Sequence, residues 1–432
     1  MSATVPGEPL GSELPAGVRF IGERLGEPRW PSPTDAPAEA DLSSCVACGL
    51  CLPHCPTYRL TGEESASPRG RITAMRAVSD GAADVDATFA RFMDLCLVCR
   101  ACEDVCPSHV PFGRMMERAR TQIEPRRPAG ARFLRWLGLD VVLPHPSLVA
   151  AASIVQPVAR PFLPKRVRAF VPRRVHRGPR VPPVTHPAPD VPARGTVALL
   201  TGCVQDRWFR DVNRATARVL ARNGWRVVVP NGQACCGALA AHNGRLETAR
   251  KQARRNLAAF ARADHVVVNA AGCGAHLESY GELVDGAALP VRDVMAFLHD
   301  EGLSAEPRGG AGVDRVAYHD ACHALRAQKI HAQPRALLRS IPGLEVVEIP
   351  EGDRCCGAAG LYNVVEPELS GRLSAEKAAA IASTGVTTIA SANPGCTMQI
   401  AAGLRSLGVG AEIVHPIQLL DRAYPSEAGT PA

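Results

Sequence analysis

The cysteines of this 432-residue chain constrain its fold more than any other feature of the sequence. There are 16 of them, in four sets of four. A chain of this size can bury a core without covalent cross-links, and its first residues are polar and proline-rich, without the apolar stretch of a secretory signal. In a reducing cytoplasm, clustered cysteines are more often metal ligands or redox centres than disulfides. The sequence therefore predicts a cytoplasmic metal-binding or redox protein.

Two of the four sets share one spacing. In each set three cysteines are separated by two residues, a fourth follows after three more, and a proline comes next: Cys45, Cys48, Cys51, Cys55 and Pro56, then Cys96, Cys99, Cys102, Cys106 and Pro107. In this bacterial ferredoxin run, the fourth cysteine ligates the other of two iron-sulfur clusters. The spacing predicts one [4Fe-4S] cluster on Cys45, Cys48, Cys51 and Cys106, and a second on Cys96, Cys99, Cys102 and Cys55.

Zinc is the alternative metal for these eight thiolates. A zinc ribbon uses two C-x2-C pairs rather than a three-plus-one run followed by proline, so the spacing favours clusters. The 40 residues between the two runs include a helix-like segment, 72–78, in place of the short strands of a minimal ferredoxin. We therefore expect a mainly helical ferredoxin-type domain over residues 41–125.

The other eight cysteines form a duplicated pattern. Cys203, Cys235, Cys236 and Cys273 are echoed by Cys322, Cys355, Cys356 and Cys396, at offsets of 119, 120, 120 and 123 residues. Neighbouring residues repeat as well, including a Cys-Cys-Gly motif in each copy. Such regular self-similarity indicates two copies of one structural unit, over residues 195–306 and 313–425.

Each cysteine of these units follows a short β-branched or aliphatic run. The predicted strands are 197–200, 226–229 and 265–269 in the first unit, and 313–318, 344–349 and 386–390 in the second; helices are predicted at 211–222 and 246–263. This alternation is typical of a parallel α/β sheet, in which ligands gather beyond the carboxyl ends of the strands. We therefore expect the four cysteines of each unit to converge there.

The chemistry of these two sets stays open at the level of sequence. Four thiols can hold a further cluster or a zinc ion, or can provide a reactive cysteine. They can also be packed as small hydrophobes, although packing does not explain their matched positions. A reactive cysteine needs an activating base, for which His242, His319 and His323 are the nearby candidates. No catalytic residue is assigned.

Taken together, the motifs resemble the iron-sulfur subunit of glycolate oxidase, also called glycolate dehydrogenase, a family related to lactate-utilisation and heterodisulfide reductase proteins. The resemblance covers about residues 42–424. Besides the double ferredoxin run, it depends on five short motifs: Gly202–Gln205, Tyr318–His323, Cys355–Asn363, Asn393–Gln399 and His415–Leu420. The overall expectation is an α+β multidomain protein, with a helical two-cluster ferredoxin module followed by two duplicated α/β cysteine-rich units.

The resemblance implies a division of labour. A separate FAD-bearing subunit oxidises glycolate to glyoxylate, and this chain carries the electrons towards a quinone. The sequence agrees, since no strand is followed by the G-x-G-x-x-G fingerprint of a dinucleotide fold. The alternative function is electron transfer for another donor, in lactate, glycerol 3-phosphate or heterodisulfide chemistry. The alternative from a different class is a zinc-bound structural protein. Heterodisulfide reductase relatives use five cysteines per unit, whereas the last position here is His276 or Gln399.

The segment between the ferredoxin module and the first unit is strongly basic. Residues 114–180 contain 15 Lys and Arg against 3 acids, so they carry 15 − 3 = +12 while the whole chain carries +7. We divide off residues 126–194 as a basic proline-rich connector and residues 1–40 as a flexible tail. The connector suits an acidic partner, the anionic inner face of the cell membrane, or a solvated linker; no motif indicates nucleic-acid binding. Its apolar segment 141–159 is interrupted by Pro144, Pro146 and Pro157, so it reads poorly as a transmembrane helix.

Overall fold

A computed structural model describes residues 25–162, 168 and 178–424 of the chain. Residues 1–24 of the predicted tail lie outside the described part. So do residues 163–167 and 169–177 of the predicted connector and residue 425 at the end of the second predicted unit.

The ferredoxin module is built from short helices, as the sequence predicts. They are α1 (Glu39–Ser43), α2 (Pro56–Thr61), α3 (Pro68–Ser79), α4 (Ala87–Asp94), α5 (Ala101–Asp104) and α6 (Phe112–Ile123), with a 3-10 turn at Glu64–Ala66. Proline at the first position of α2 and α3 suits a helix start because its missing N–H is not needed there. The core between the helices is rich in methionine, with Met75, Met93 and Met115 fully buried.

Residues 25–40 differ from the expected flexible tail, because they pack on the ferredoxin module. Trp30 is buried, its ring lies edge-on to Phe89, and its Nε1 donates to Ser79 Oγ at 2.9 Å. The backbone N–H of Ser32 donates to Gln122 Oε1 at 2.8 Å, and a 3-10 turn follows at Pro33–Asp35. The buried apolar area of Trp30 and these hydrogen bonds hold the arm against the helical core.

The connector also contains regular structure within its described residues. After a 3-10 turn at Glu124–Arg126 come α7 (Ala129–Arg135), a π-helical segment (Trp136–Val142), α8 (Pro146–Ala159) and a further turn at Arg160–Phe162. Asp140 ties this part to the first cysteine-rich unit, since its carboxylate pairs with Arg245 and accepts from Thr248 Oγ1. In the described part no single helix is long and apolar enough to cross a membrane. The helical segments 129–142 and 146–162 reach the length and apolar composition of a membrane span only when taken together, and they are bent by 114° relative to each other.

The first cysteine-rich unit is a five-stranded sheet covered by helices. Its strands are β1 (Val184–Thr185), β2 (Gly195–Leu199), β3 (Trp225–Val228), β4 (Val266–Val268) and β5 (Val291–Asp293), in the order β1-β3-β2-β4-β5. Only β1, from the connector, is antiparallel. The helices are α9 (Gln205–Trp208), α10 (Arg210–Arg222), α11 (Ala238–His242), α12 (Leu246–Ala259), α13 (Ala271–Glu278) and α14 (Val294–Glu301), with a turn at Tyr280–Glu282.

The second unit repeats this plan without the antiparallel edge strand. Its strands β6 (Arg315–His319), β7 (Glu345–Glu348), β8 (Thr388–Ser391) and β9 (Glu412–Val414) are all parallel, in the order β7-β6-β8-β9. The helices are α15 (Ala332–Arg339), α16 (Tyr362–Val365), α17 (Pro367–Ala382), α18 (Pro394–Ser406) and α19 (Pro416–Arg422), with a π-helical turn at His323–Ala327. The predicted duplication and the six predicted strands are thereby confirmed.

The last helix of each unit packs on the other unit. The helix α14 that ends the first unit packs on α15 of the second, and the matching α19 packs on α10 of the first. One apolar core therefore spans both sheets, with Val197 and Val219 on one side and Val316 and Leu419 on the other. This reciprocal packing holds the two sheets in a fixed relation, so that their cysteines lie near a common face.

Candidate metal centres

The two ferredoxin runs fold into loops with the same backbone geometry. The second and fourth residues after the first cysteine of each run have positive φ: Ala47 and Gly49 in the first, Val98 and Arg100 in the second, at 55°, 83°, 50° and 60°. Positive φ is an outlier for a β-branched residue such as Val98 and costs about 1–3 kcal/mol. Because the same strained positions occur in both runs, we interpret them as the backbone conformation that turns the cysteines of each loop to one side.

The eight ferredoxin cysteines line two neighbouring cavities. The first is bordered by Cys45, Cys48, Cys51, Cys102 and Cys106. The second is bordered by Cys55, Cys96, Cys99 and Cys102. Cys106 thus lies with the first run and Cys55 with the second, which is the arrangement that crossed ligation requires. Because Cys102 borders both cavities, the two sites are adjacent, and the donor set of each fits a [4Fe-4S] cluster.

Burial makes the thiols of Cys99 and Cys102 poor acids on their own. It raises the pKa of Cys99 strongly, and the neighbouring Cys322 and Cys55 add to the increase. The pKa of Cys102 is raised in the same way, mainly by burial and then by Cys99 and Cys96. A thiolate is the ligand form, so binding of a metal has to supply the positive charge that deprotonation needs.

The second ferredoxin site lies directly against the second cysteine-rich unit. Cys99 and Leu97 share an apolar cluster with Cys355, Tyr362 and Leu373. A cavity of about 240 Å³ opens at this junction, and its lining includes Cys99, Cys322 and Cys355. A redox centre at Cys99 and one at Cys355 would therefore be neighbours.

In the first unit the four cysteines converge at the carboxyl ends of β2, β3 and β4, as predicted. The Sγ atoms of Cys203 and Cys235 are 3.4 Å apart, and those of Cys236 and Cys273 are 3.1 Å apart. The loop is held by hydrogen bonds to its carbonyls: Asn256 Nδ2 donates to Cys235 O at 3.1 Å, and Tyr280 Oη donates to Cys236 O at 2.7 Å.

In the second unit a histidine joins the cysteines. His319 is the last residue of β6, and one of its ring nitrogens lies with Cys356 Sγ and Cys396 Sγ in a set whose members are all within 4.8 Å of one another. All three residues are buried. Among the described residues, neither ring nitrogen of His319 has a hydrogen-bond partner. Burial lowers the pKa of His319 to about 3, so that the imidazole is neutral at pH 7.

The other two candidate bases lie at the junction of the three modules. His242 Nδ1 is 2.7 Å from Glu117 Oε1 of α6, and its ring stacks on that of His323 at 5.4 Å. His323 Nδ1 is 3.7 Å from Cys322 Sγ. Burial lowers the pKa of His323 to about 3, while the pKa of Cys322 is raised by Cys355 and by burial. These shifts oppose a thiolate-imidazolium pair between Cys322 and His323.

Of the two residues in the position of a fifth cysteine, Gln399 is hydrogen-bonded elsewhere, whereas His276 Nε2 has no hydrogen-bond partner among the described residues. His276 is buried beside His242 and Tyr280, with ring centroids at 6.1 and 5.7 Å. Gln399 Nε2 donates to Ser370 Oγ at 3.1 Å. Neither residue joins a close group of donors in the described part of the chain.

Sequence reasoning named His319 only as a base and did not name Lys377 at all. Lys377 is buried, and its Nζ donates to Gly352 O at 2.9 Å. Burial lowers its pKa, whereas Cys356 and Cys355 raise it. The hydrogen bond to Gly352 O places the ammonium group on the loop that carries both thiols. Alignment of the two copies could have identified both residues. The first copy has Leu200 at the position of His319 and Asn256 at the position of Lys377, so each difference marks a feature of the second copy alone.

Two family models match the chain. Residues 41–110 match the 4Fe-4S dicluster domain, and residues 197–278 and 316–401 each match the Cysteine-rich domain. The matched segments coincide with the helical module and the two duplicated units.

Several known proteins are similar over long stretches. A probable glycolate oxidase iron-sulfur subunit of Bacillus subtilis (strain 168) is 36% identical over 421 residues, which covers 88% of this chain and 94% of that protein. The glycolate oxidase iron-sulfur subunit of Escherichia coli (strain K12) is 33% identical over 407 residues, covering 90% and 96%. Lactate utilization protein A of Oceanobacillus iheyensis is 30% identical over 235 residues, covering 52% and 96%.

Proposed function

Because the chain belongs to the family of glycolate oxidase iron-sulfur subunits, we propose that it is the electron-transfer subunit of an FAD-dependent glycolate dehydrogenase. The family relationship confirms the resemblance seen in the motifs, and with the 4Fe-4S dicluster domain it establishes an iron-sulfur electron-transfer role. In the proposed complex, a flavoprotein partner takes two electrons and two protons from glycolate, leaving glyoxylate. This chain passes the electrons on towards a quinone.

The observation that carries the proposal is the line of cysteine sites through the molecule. Cys48 is exposed at one end, the two ferredoxin cavities adjoin at Cys102, and Cys99 faces Cys322 and Cys355 of the second unit. Clusters at the first two sites would transfer electrons singly, between a two-electron donor and a two-electron acceptor. The protein's part is to hold the ligands close together and to shield Cys55, Cys96 and Cys99 from water.

The test is the variant Cys99→Ser in the complex purified anaerobically with its native partners. We expect loss of one cluster signal in the electron paramagnetic resonance spectrum and loss of quinone reduction, while substrate still reduces the flavin of the partner. Ser43→Ala, an exposed change two residues from Cys45, is the matched control and should behave as the wild type. Normal quinone reduction by Cys99→Ser would overturn the proposal.

The same preparation distinguishes the alternatives. Turnover with glycolate, lactate, glycerol 3-phosphate and the thiol pair that forms a heterodisulfide on oxidation shows which donor the complex uses; lactate is the main competitor, given the similarity to lactate utilization protein A. About eight irons with matching sulfide fit two [4Fe-4S] clusters. Zinc without sulfide would place the chain in the structural class instead.

We also propose that the helices of the connector rest on the membrane that holds the quinone. On α8 the residues turned inward include the polar Ser153 and Gln156, whereas Ile154 and Val158 are 77% and 73% exposed. An exposed apolar face of this kind is rare on a soluble protein and suits the acyl boundary of a bilayer.

Further apolar side chains of the connector helices are exposed as well, and we call the whole set the apolar patch: Phe133, Leu134, Trp136, Ile154, Val158 and Phe162. Each of them is exposed. The sequence that follows is strongly basic, with seven Lys and Arg between residues 163 and 180. Basic residues beside an apolar face add attraction to anionic lipids. The acidic-partner and linker interpretations do not account for the exposed apolar side chains.

Vesicle flotation tests this part of the proposal. The wild-type complex should float with phosphatidylglycerol vesicles and less with neutral phosphatidylcholine vesicles. Ile154→Glu should lower binding about tenfold or more, because a charge replaces an inserted side chain. Val364→Glu, at an exposed valine of the second unit, is the matched control. Equal flotation of Ile154→Glu and wild type would contradict membrane contact through the patch.

A further inference from the structure

The duplicated units differ where their first strands end. Three residues before the first cysteine, the first unit has Leu200 and the second has His319. Both side chains are buried, at 2% and 1% exposure. An apolar residue at this position satisfies a core, whereas a histidine without hydrogen bonds is costly there. The second unit therefore has to offset the free-energy cost of burying this imidazole.

The donors around His319 have the spacing of metal ligands. One ring nitrogen, Cys356 Sγ and Cys396 Sγ all lie within 4.8 Å of one another. With metal–sulfur bonds of about 2.3 Å and metal–nitrogen bonds of about 2.0–2.1 Å, tetrahedral donors are separated by less than about 4 Å. Small side-chain adjustments are therefore enough for all three atoms to reach one metal.

The charge around the site also suits bound thiolates. The ammonium group of Lys377 is buried and donates to Gly352 O at 2.9 Å, on the loop that carries Cys355 and Cys356. Two thiolates and a divalent cation leave no net charge, and each further thiolate adds a negative charge that a nearby cation stabilises. The first unit has the neutral Asn256 at the matching position of its helix.

We propose that His319, Cys356 and Cys396 bind a metal centre in the second cysteine-rich unit, with the imidazole as a ligand that the first unit lacks. The fit is to a thiophilic metal that also accepts imidazole, either a zinc ion or the iron of a cluster. Cys322 and Cys355 lie beside the site, because both line one cavity and Cys355 directly precedes Cys356 in the chain. This centre lies beyond Cys99 on the line of cysteine sites.

The experiment compares metal content in the full-length chain purified anaerobically with its partners. Zinc, iron and acid-labile sulfide are measured per chain in the wild type, His319→Ala, His319→Cys and Leu200→Ala. The wild type should contain metal beyond the two ferredoxin clusters. His319→Ala should lose that excess, His319→Cys should keep it because a thiolate replaces the imidazole, and Leu200→Ala, the matched position in the first unit, should also keep it.

X-ray absorption of the wild type needs no variant and so does not depend on folding. At the edge of the excess metal we expect sulfur scatterers at about 2.3 Å and a nitrogen at about 2.0–2.1 Å, the latter absent from any metal that remains in His319→Ala. Excess zinc without extra sulfide identifies a single ion, and excess iron with sulfide identifies a cluster; both support the ligand set.

Two results would overturn the assignment. One is a wild-type chain without metal beyond the ferredoxin clusters. The other is a folded His319→Ala variant, judged by circular dichroism, with the full metal content and an unchanged absorption spectrum. The ferredoxin signals are a separate readout, so loss of the proposed function and loss of this centre can be told apart.

Discussion

At the residue scale, each ferredoxin loop is held by an arginine that the spacing of the cysteines does not reveal. Arg76 Nη2 donates to Cys45 O at 2.6 Å and to Leu42 O. Arg120 Nη2 donates to Cys96 O at 2.6 Å and to Met93 O at 2.9 Å. The two runs therefore share a support in which a guanidinium group binds the carbonyl of the first cysteine and brings positive charge towards the thiolates.

We predict that Arg120→Met lowers the free energy of unfolding by about 3 kcal/mol and makes the second cluster labile. The buried carbonyls of Cys96 and Met93 would lose a charged donor, at about 1–3 kcal/mol for each unsatisfied group. The measurements are urea denaturation and iron content after anaerobic purification. Arg76→Met is the matched variant and should instead affect the cluster that contains Cys45; loss of the same cluster signal in both variants would contradict separate supports.

At the element scale, the sequence predicts those helices and strands that are long enough to show a periodic pattern of apolar residues. The helices 210–222 and 246–259 and six of the strands follow from alternation of apolar runs with polar or alanine-rich stretches. The strands β5 and β9 were not predicted, because three-residue strands such as Val291–Asp293 carry too little pattern. The edge strand β1 was missed for the same reason, since it has two residues and lies in the connector.

The helix α19 begins with a titratable cap. His415 Nδ1 accepts a hydrogen bond from the N–H of Ile417, and Gln418 Oε1 accepts from the N–H of His415, which completes a capping box. Burial lowers the pKa of His415 to about 3. Only the neutral imidazole can accept this bond, so protonation would remove the cap from the helix that packs on the first unit.

We predict a measurable acid sensitivity from this one histidine. The unfolded chain takes up its proton near pH 6.5 and the folded chain only near pH 3, so the stabilising effect is complete above pH 6.5 and falls with decreasing pH. Below pH 6.5 the loss approaches about 1.4 kcal/mol per pH unit. His415→Asn keeps a capping side chain without the titration, and its stability should therefore fall less between pH 7 and pH 5 in urea denaturation.

The control for that prediction is the same replacement at the exposed His299. It removes one histidine without touching a cap, so the comparison separates loss of the cap from loss of a histidine. If His415→Asn and His299→Asn lose stability in parallel with the wild type, the cap does not contribute to acid sensitivity.

At the scale of the whole molecule, the cysteine spacing and the repeat predict the modules but not how they meet. Lys329 and Arg326 of the second unit pair with Asp104 of the ferredoxin module, and Arg250 of the first unit pairs with Asp35. The two residues of each pair are more than 200 positions apart in sequence, and no local pattern links them. The position of Cys99 against Cys322 and Cys355 depends on such contacts and could therefore not be predicted from the sequence.

This arrangement gives the proposed electron path a direction. The first ferredoxin site is the one open to the surface, because Cys48 is exposed and the apolar Val46 and Leu50 beside it are 68% and 56% exposed. The second site is covered by the second unit. A donor protein that approaches Cys48 would find an apolar contact surface at the shortest distance to a cluster, and such central apolar residues dominate the affinity of many interfaces.

We predict that Leu50→Glu slows reduction of the clusters by the flavoprotein partner about tenfold, through loss of about 1.4 kcal/mol of interface energy, while iron and sulfide content stay unchanged. Stopped-flow absorbance after mixing with substrate-reduced partner measures this rate. Leu407→Glu places the same charge at an exposed leucine of the second unit and should leave the rate intact. If Leu407→Glu is slow and Leu50→Glu is normal, the donor docks at the cysteine-rich end, and electrons enter the line of sites from the side that this structure assigns to their exit.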